Sequence, residues 1–526
     1  MKFSRLKQIR LGISVLFLTL IALIFLDFRN IIPSSDVKVL LYLQFVPSLL
    51  NFLNTVAVGA SGFIVAIILL VLFGRIYCSS LCPLGIFQDV IGFVIRKNKN
   101  WRGFQYLQPH NILRYSILIL TLLLLISGTG FLLNLLDPFS TFGRIFSNIF
   151  RPVVVIVNNF IAIVLEPLGV HTIYRVRWAV VAPVSVVVAI SFLLLIVWLS
   201  AKHGRLYCNT ICPVGTLFGL ISKIAIFQIS IDPNKCKECK LCERVCKAGC
   251  IDLQNKTIDS SRCVACFNCL VACQKDGLQF KNIWKRGVFA EKEEKIEPER
   301  RGLILSSVIW LIGNTGFTEQ TKKIIQSKAT TIPILLKNPV SPPGSHSIEH
   351  FTSTCTACHL CVSACPSNVL VPSFLEYGLL GMMQPKMTFN AGHCNYECTI
   401  CMDICPSGAI SPLEVEKKKL IQTGVAKFIK KNCVVYTDKT NCGACSEHCP
   451  TKAVNMIPYP NPKNNRLVIP EVNPDYCIGC GGCEHACPTK PYKAIYVEGN
   501  AIHKMAQKPE VKKIDPTIDY NEDFPF

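Results

Sequence analysis

Apolar positions crowd the first 222 residues, and the rest of the chain is more polar and broken by regularly spaced cysteines. Residues 11–28 (LGISVLFLTLIALIFLDF) form one continuous apolar run of spanning length. Lys2, Arg5, Lys7 and Arg10 precede it and no small-residue cleavage site comes after it. The run therefore reads as a signal anchor with its N-terminus inside, not as a cleaved leader. Runs at 56–76, 112–134 and 178–200 meet the same length criterion. The stretch 152–165 is apolar but shorter and carries Asn158 and Asn159, which predicts an interfacial or re-entrant segment. The basic loops 96–102 (RKNKNWR) and Lys202 to Arg205 then share the cytoplasmic side. If 152–165 spanned, they would fall on opposite sides.

An internal repeat sharpens this picture. Residues 74–85 read GRIYCSSLCPLG and residues 204–215 read GRLYCNTICPVG. Each comes directly after a long apolar helix, so the two helices run in the same direction, as in a parallel repeat about an axis along the membrane normal. Cys78, Cys82, Cys208 and Cys212 would then meet at the cytoplasmic face. Proline keeps Cys82 and Cys212 out of helical geometry and opens a new helix. A cysteine at a helix N-terminus favours the thiolate. Four such thiolates could bind one metal or a small cluster, or stand as buried structural cysteines in tight turns. The duplication favours the metal or redox role, and tetrahedral sulfur does not name the metal.

The chain carries 29 cysteines in 526 residues, and 24 of them form six runs of four. Residues 236–246 (CKECKLCERVC) and 263–273 (CVACFNCLVAC) are each C-x2-C-x2-C-x3-C. In two-cluster ferredoxins the fourth cysteine serves the other cluster. Cys236, Cys239, Cys242 and Cys273 are therefore expected on one 4Fe–4S cubane, and Cys263, Cys266, Cys269 and Cys246 on a second. Zinc knuckles need no third and fourth cysteine at this spacing. Lys247 and Gln274 stand where proline is usual, and Cys250 is left over as a small core residue.

Four more runs lie at 355–365, 394–405, 433–449 and 477–487, each ending in front of a proline. Crosswise pairing groups Cys355, Cys358, Cys361 with Cys405; Cys394, Cys398, Cys401 with Cys365; Cys433, Cys442, Cys445 with Cys487; and Cys477, Cys480, Cys483 with Cys449. Cys355-Thr-Ala-Cys358-His359 matches the C-x2-C-H haem signature, but both cysteines are needed by a complete ferredoxin run. His110, His171 and His203 lie at helix ends, not in facing interior pairs, so no haem is expected. The formal charge of +21 counts every cysteine as neutral. Six cubanes of about −2 each would remove roughly 12 charges. The basic surplus then compensates clusters and marks inside loops, and no basic–aromatic interleaving suggests nucleic acid.

Between the cysteine groups, EKEEKIEPERR (291–301) is a charged linker, and the apolar 16-residue GLILSSVIWLIGNTGF begins directly after Arg300 and Arg301, like an internal twin-arginine signal. The expected organisation is a multi-domain protein: an α-helical membrane bundle of four spans plus a fifth, with α+β ferredoxin-like 4Fe–4S modules. Residues 1–222 form the membrane domain, 223–290 a cytoplasmic two-cluster module, 291–317 the linker and twin-arginine-like segment, 318–350 a linker, and 351–526 a periplasmic four-cluster module.

The paired GR-[IL]-YC-x3-CP-[LV]-G loops and the two-cluster module after them resemble NapH, the membrane quinol dehydrogenase component of periplasmic nitrate reductase systems. NosR and MauN share parts of the pattern, although NosR's flavin domain has no counterpart here. The C-terminal part, with its twin-arginine segment, the SPPGS stretch (341–345) and four cubane runs, resembles NapG and MauM. The resemblance implies a NapH–NapG-like fusion in the bacterial inner membrane. It would oxidise quinol and pass electrons to a periplasmic reductase or cytochrome, without flavin. A quinone pocket would lie near the paired loops, beside Arg75, Tyr77, His203, Arg205 and Tyr207, although such residues are more often interfacial anchors. An accessory protein that activates a partner metalloenzyme, and a carrier with all clusters facing a cytoplasmic donor, are the rival readings.

Overall fold

The computed structural model describes residues 2–55, 61–96, 103–169, 171–176, 182–284, 331–459 and 467–508. The segment 291–317, with Arg300 and Arg301 and the expected fifth span, lies outside them, as does the end of the chain.

The membrane domain is two copies of one helical plan. The first runs α1 (Lys2–Leu26), α2 (Ser34–Tyr42), α3 (Phe45–Thr55), α4 (Gly62–Phe73), α5 (Ile76–Ser80) and α6 (Pro83–Arg96). The second runs α7 (Asn111–Ile126), α8 (Phe131–Leu136), α9 (Pro138–Ile145), α10 (Arg151–Leu165), α11 (Pro183–His203), α12 (Leu206–Thr210) and α13 (Pro213–Ser222). Each copy holds an elbow, LLYLQFVPS (40–48) and LLNLLDPFS (132–140), with leucines and a final serine at matching positions. The first elbow bends α2 against α3 by 103°. In the second, Asp137 breaks the helix with an extended ψ of 128° and accepts from the Ser140 amide to start α9 at Pro138.

Among the described residues three helical stretches are long and apolar enough to cross a membrane, Phe3–Leu26, Pro138–Leu168 and Pro183–His203, with the bent α2–α3 pair a fourth if counted as one span. Two expected spans are shorter helices, α4 and α7. The segment 152–165, expected as interfacial or re-entrant, instead lies inside the 31-residue stretch Pro138–Leu168. Its asparagines do not interrupt that helix because their amides are satisfied. Asn158 accepts from Arg29 at 2.8 Å, and Asn159 bonds both the amide and the carbonyl of Val176.

Residues 97–102 of the first basic loop lie outside the described residues, but Phe104 just after it and Arg205 of the second meet the same module. Phe104 donates its amide to Arg244 and Arg205 donates its amide to Lys247, both in the first ferredoxin module. So α7 leaves that module and α11 returns to it, and the α8–α9 elbow removes the expected conflict of parity.

The first ferredoxin module pairs strands Phe227–Ile231 and Leu278–Asn282 antiparallel, with a short hairpin Ile251–Asp252/Thr257–Ile258. One-turn helices Leu241–Arg244 and Asn268–Ala272 start after left-handed Lys240 and Phe267, which turn each cysteine run back on itself. The second module repeats the device at His359 and Gly481 and is tied by the pairing of Ile421–Phe428 with Ile495–Met505. Residues 338–350, expected as linker, belong to this module. Val340 bridges Met387, and Ser341 and Ser345 are fully buried.

The two modules meet opposite ends of α1. The helix Asn268–Ala272 of the first module touches α1, and Arg10 near its start donates to the Ser79 carbonyl of α5. At its far end Phe25 packs edge-on to Phe142 beside the Cys358 loop of the second module. Arg10 and Phe25 are roughly 22 Å apart at 1.5 Å per residue.

Candidate iron–sulfur and membrane cysteine sites

The fold brings the predicted crosswise quartets together. Cys242 faces Cys236, Cys239 and Cys273, and those four line one cavity of about 160 Å³. Cys269 faces Cys266, Cys263 and Cys246. In the second module Cys361 faces Cys358, Cys355 and Cys405; Cys401 faces Cys394, Cys365 and Cys398; and Cys483 faces Cys480, Cys477 and Cys449. Cys433, Cys442, Cys445 and Cys487 line a further cavity. Burial pushes the Cys361 thiol up, and its three neighbours push it further. Four such thiols cannot all ionise against one another, so the donor set fits a cationic cluster that takes up the charge. Successive quartets adjoin: Cys269 with Cys242, Cys361 with Cys401, Cys480 with Cys394, and Cys483 with Cys445.

The membrane loops fold the same way twice. Pro83 opens α6 and Pro213 opens α13, and the Cys212 sulfur accepts from the Gly215 amide at 3.3 Å. The loops hold each other by a reciprocal clasp. Arg75 donates to the Cys208 carbonyl at 2.9 Å, and Arg205 donates to the Cys78 carbonyl. The approach is so close that a Cβ at Gly85 would stand 2.3 Å from the Cys78 oxygen, and one at Gly215 2.1 Å from the Cys208 oxygen. The clasp gathers Cys78, Cys82, Cys208 and Cys212, all buried, into one neighbourhood. Among the described residues no group of three or more His, Cys, Asp or Glu side chains is placed to hold a single metal ion.

The clasp is asymmetric in charge. Arg205 grips Asp89 in a two-point pair at 2.9 and 2.7 Å, and Lys247 reaches the same carboxylate at 2.9 Å. Burial alone would raise the Asp89 carboxyl, but Arg205 and Lys247 hold it well below the usual range. Arg75 has no carboxylate and instead holds the Asn209 side chain at 2.7 Å and the Ser261 carbonyl at 3.0 Å. Arg75 lies near Cys263 of the first module. On the other side Tyr207 lies by Cys212, and Arg144 lies between Tyr207 and Cys358 of the second module. The membrane quartet therefore stands between a quartet of each module.

Four of the five expected quinone neighbours are sealed in this clasp. Arg75, Tyr77, Arg205 and Tyr207 are at most 3 % exposed. The Tyr77 hydroxyl accepts from the Phe45 amide at 2.9 Å, and the Tyr207 hydroxyl donates to the Leu136 carbonyl at 3.0 Å, each tying a loop to its own elbow. They are internal ties, not interfacial anchors. His203 alone borders a cavity, of about 140 Å³, with Lys202, His110 and Arg262.

Two features are not evident from the sequence. Cys250 is more than filler: its sulfur lies 3.6 Å from Cys246 and also bonds Cys263, two ligands expected on the same cubane. Its place four residues after Cys246 was the available signal. His359 of the C-x2-C-H match is buried against the membrane domain, bonding Asn148 at 3.0 Å and the Met383 carbonyl at 2.8 Å.

Three family models match the chain. A 4Fe-4S binding domain covers 55–102 and 185–230, which hold the two loops, and two 4Fe-4S dicluster domains cover 354–410 and 439–490. The methylamine utilization ferredoxin-type protein MauM of Methylophilus methylotrophus is 33% identical over 202 residues, 35% of this chain and 80% of MauM. The ferredoxin-type protein NapH of Escherichia coli is 27% identical over 242 residues, 44% of this chain and 70% of NapH. An uncharacterised protein of Methanocaldococcus jannaschii is 37% identical over 83 residues, 16% of this chain and 33% of that protein, so the chain spans a third of that relative's length. No solved structure matches. Cysteine runs, helices and relatives together describe a ferredoxin-type 4Fe–4S electron-transfer protein with a membrane region. On the match to four-fifths of MauM, the chain belongs to the family of that ferredoxin-type protein.

Proposed function

We propose that the chain is an inner-membrane electron conduit that takes electrons from quinol and passes them to a reductase or cytochrome on the periplasmic side. The observation that carries this reading is the place of the membrane quartet, between the Cys263 and Cys358 quartets of modules at opposite ends of α1. When bound, 4Fe–4S clusters supply one-electron carriers whose potentials depend on burial and hydrogen bonds to sulfur. The chain's own part is to hold those ligands in order, exclude water and balance charge. Lys247 faces Cys266, Arg151 faces Cys365 and Lys418 faces Cys394. Cys78, Cys82, Cys208 and Cys212 hold a further redox centre, read as iron–sulfur because the 4Fe-4S model covers both loops. The first module and the basic loops face the cytoplasm and the second module faces the periplasm.

Metal and sulfide analysis of the full chain, with turnover in membranes, tests this. About 24 irons from six cubanes together with those of the membrane centre, and steady quinol oxidation that requires an external acceptor, are expected. Full loading without sustained flux, but with failed maturation of a partner enzyme, would show an accessory protein instead.

A further inference from the structure

The elbows that tie the loops differ at their outer faces. In the second repeat the contact with the ferredoxin module is solid. Gly143 lies against the Cys358 carbonyl with Phe25 beside it, and Ser147 and Asn148, on a π turn of the helix, reach Ser363 at 2.8 Å and His359 at 3.0 Å. In the first repeat the matching contact is only partial. Asn54 of α3 donates to the Ser407 carbonyl at 3.4 Å and Asn51 lies against Gly408, but between these points and α2 a cavity of about 300 Å³ is left along the Met402–Pro412 segment. Cys405, expected on the same cubane as Cys358, forms part of its wall.

The lining is apolar within and polar at the rim. Leu41, Ile404 and Ile410 line it, while Asn51 and the Lys38–Asp403 pair, 3.9 Å apart, offer donors and an acceptor. The Asp403 carboxylate already accepts from Thr399 at 2.8 Å on one oxygen, which leaves the other turned to Lys38. The same two helices turn Val39 and Leu53 outward, 70% and 61% exposed, a surface suited to lipid. A flat ring with oxygens at opposite ends and an apolar tail matches this site: small enough for the volume, hydroxyls for Asp403 and Asn51, and a tail along α2 and α3.

The geometry points to a quinol-binding site in the α2–α3 elbow against Cys405, with Asp403 accepting a hydrogen bond from one hydroxyl. This rests on the quinol reading above and moves its site from the sealed clasp of the cysteine loops to the outer face of the neighbouring elbow, against the second module. The cavity beside His203 is the competing place: it is less than half the size and lined by Lys202, His110 and Arg262.

The test uses the full-length, cluster-loaded protein in liposomes and a photoreactive azido-benzoquinol with a short isoprenoid tail. Labelling is expected on α2, α3 or residues 402–412, competed by unlabelled quinol. Asp403→Asn is expected to weaken binding roughly tenfold, as for a lost hydrogen bond to a charged group. Thr55→Trp, which fills the cavity from α3, should abolish labelling there. Both variants should keep wild-type iron content, which separates lost binding from lost folding. Label on residues 103–110 or 202–210, or wild-type binding by both variants, overturns the proposed site while leaving quinol as the donor. No saturable labelling anywhere, with no reduction of the protein by quinol, overturns both.

Discussion

The two repeats of the membrane domain agree at the cysteine loops and part at the outer faces of the elbows. At the cysteine loops each arginine crosses to the opposite loop's cysteine carbonyl, and each loop has a glycine where nothing larger fits. At the elbows one repeat is packed solid against the second ferredoxin module and the other encloses a cavity. Where the halves agree they share one task, holding four sulfurs together. Where they differ, only one half has room for a small molecule.

The clasp gives the largest expected effects. Arg205→Leu leaves Asp89 buried without its two-point partner and should cost about 3–5 kcal/mol. Arg75→Leu takes a donor only from neutral groups, the Cys208 and Ser261 carbonyls and the Asn209 side chain, and should cost about 1–3 kcal/mol. Denaturant titration of the full chain in detergent checks the order, and equal losses would mean that the charge asymmetry has no energetic weight. Next, Gly85→Ala and Gly215→Ala each push a methyl to within 2.3 Å or less of a carbonyl oxygen. Each should cost about 1–3 kcal/mol, measured the same way, and both should lower the iron content of the membrane quartet alike. At the elbows, Gly143→Ala meets the Cys358 oxygen at 2.3 Å and should cost a similar amount. Thr55→Ala on the open side should stay within about 0.5 kcal/mol. The smallest effect is outside the membrane domain. Cys250→Ala removes one sulfur hydrogen bond to cluster ligands of the first module and should lower that cluster's midpoint by about 40 mV, taking ~1 kcal/mol per bond. Redox titration monitored by EPR reads it, with the Cys433 quartet as the unchanged control.

Much of this arrangement was legible in sequence because the signals are local. The C-x2-C-x2-C-x3-C runs state their own pairing, and the GR-x-YC repeat announces both the duplication and its direction. What stayed hidden depends on partners far along the chain. Arg75 and Tyr77 looked like residues beside a pocket, because nothing local shows that Cys208, 133 positions away, supplies the acceptor. The 152–165 segment looked too short and too polar, because Arg29 and Val176, which satisfy its asparagines, come from other segments. Ser341 and Ser345 looked like linker because Pro-rich, polar composition does not show burial. The elbow similarity was present in the sequence, but nine residues with changed polarity, Gln44 and Phe45 against Leu136 and Asp137, do not stand out until their hydrogen bonds to Tyr77 and Tyr207 are seen.

The central claim is that the membrane quartet joins the two modules. Oriented liposomes with the first module outward allow that module alone to be reduced by a membrane-impermeant donor, while EPR monitors the second module inside. Electrons are expected to reach the second module in the wild type and to stop at the first module's two clusters in Cys82→Ser/Cys212→Ser, with the six-cubane iron content unchanged. Equal reduction of the second module in both proteins would contradict it.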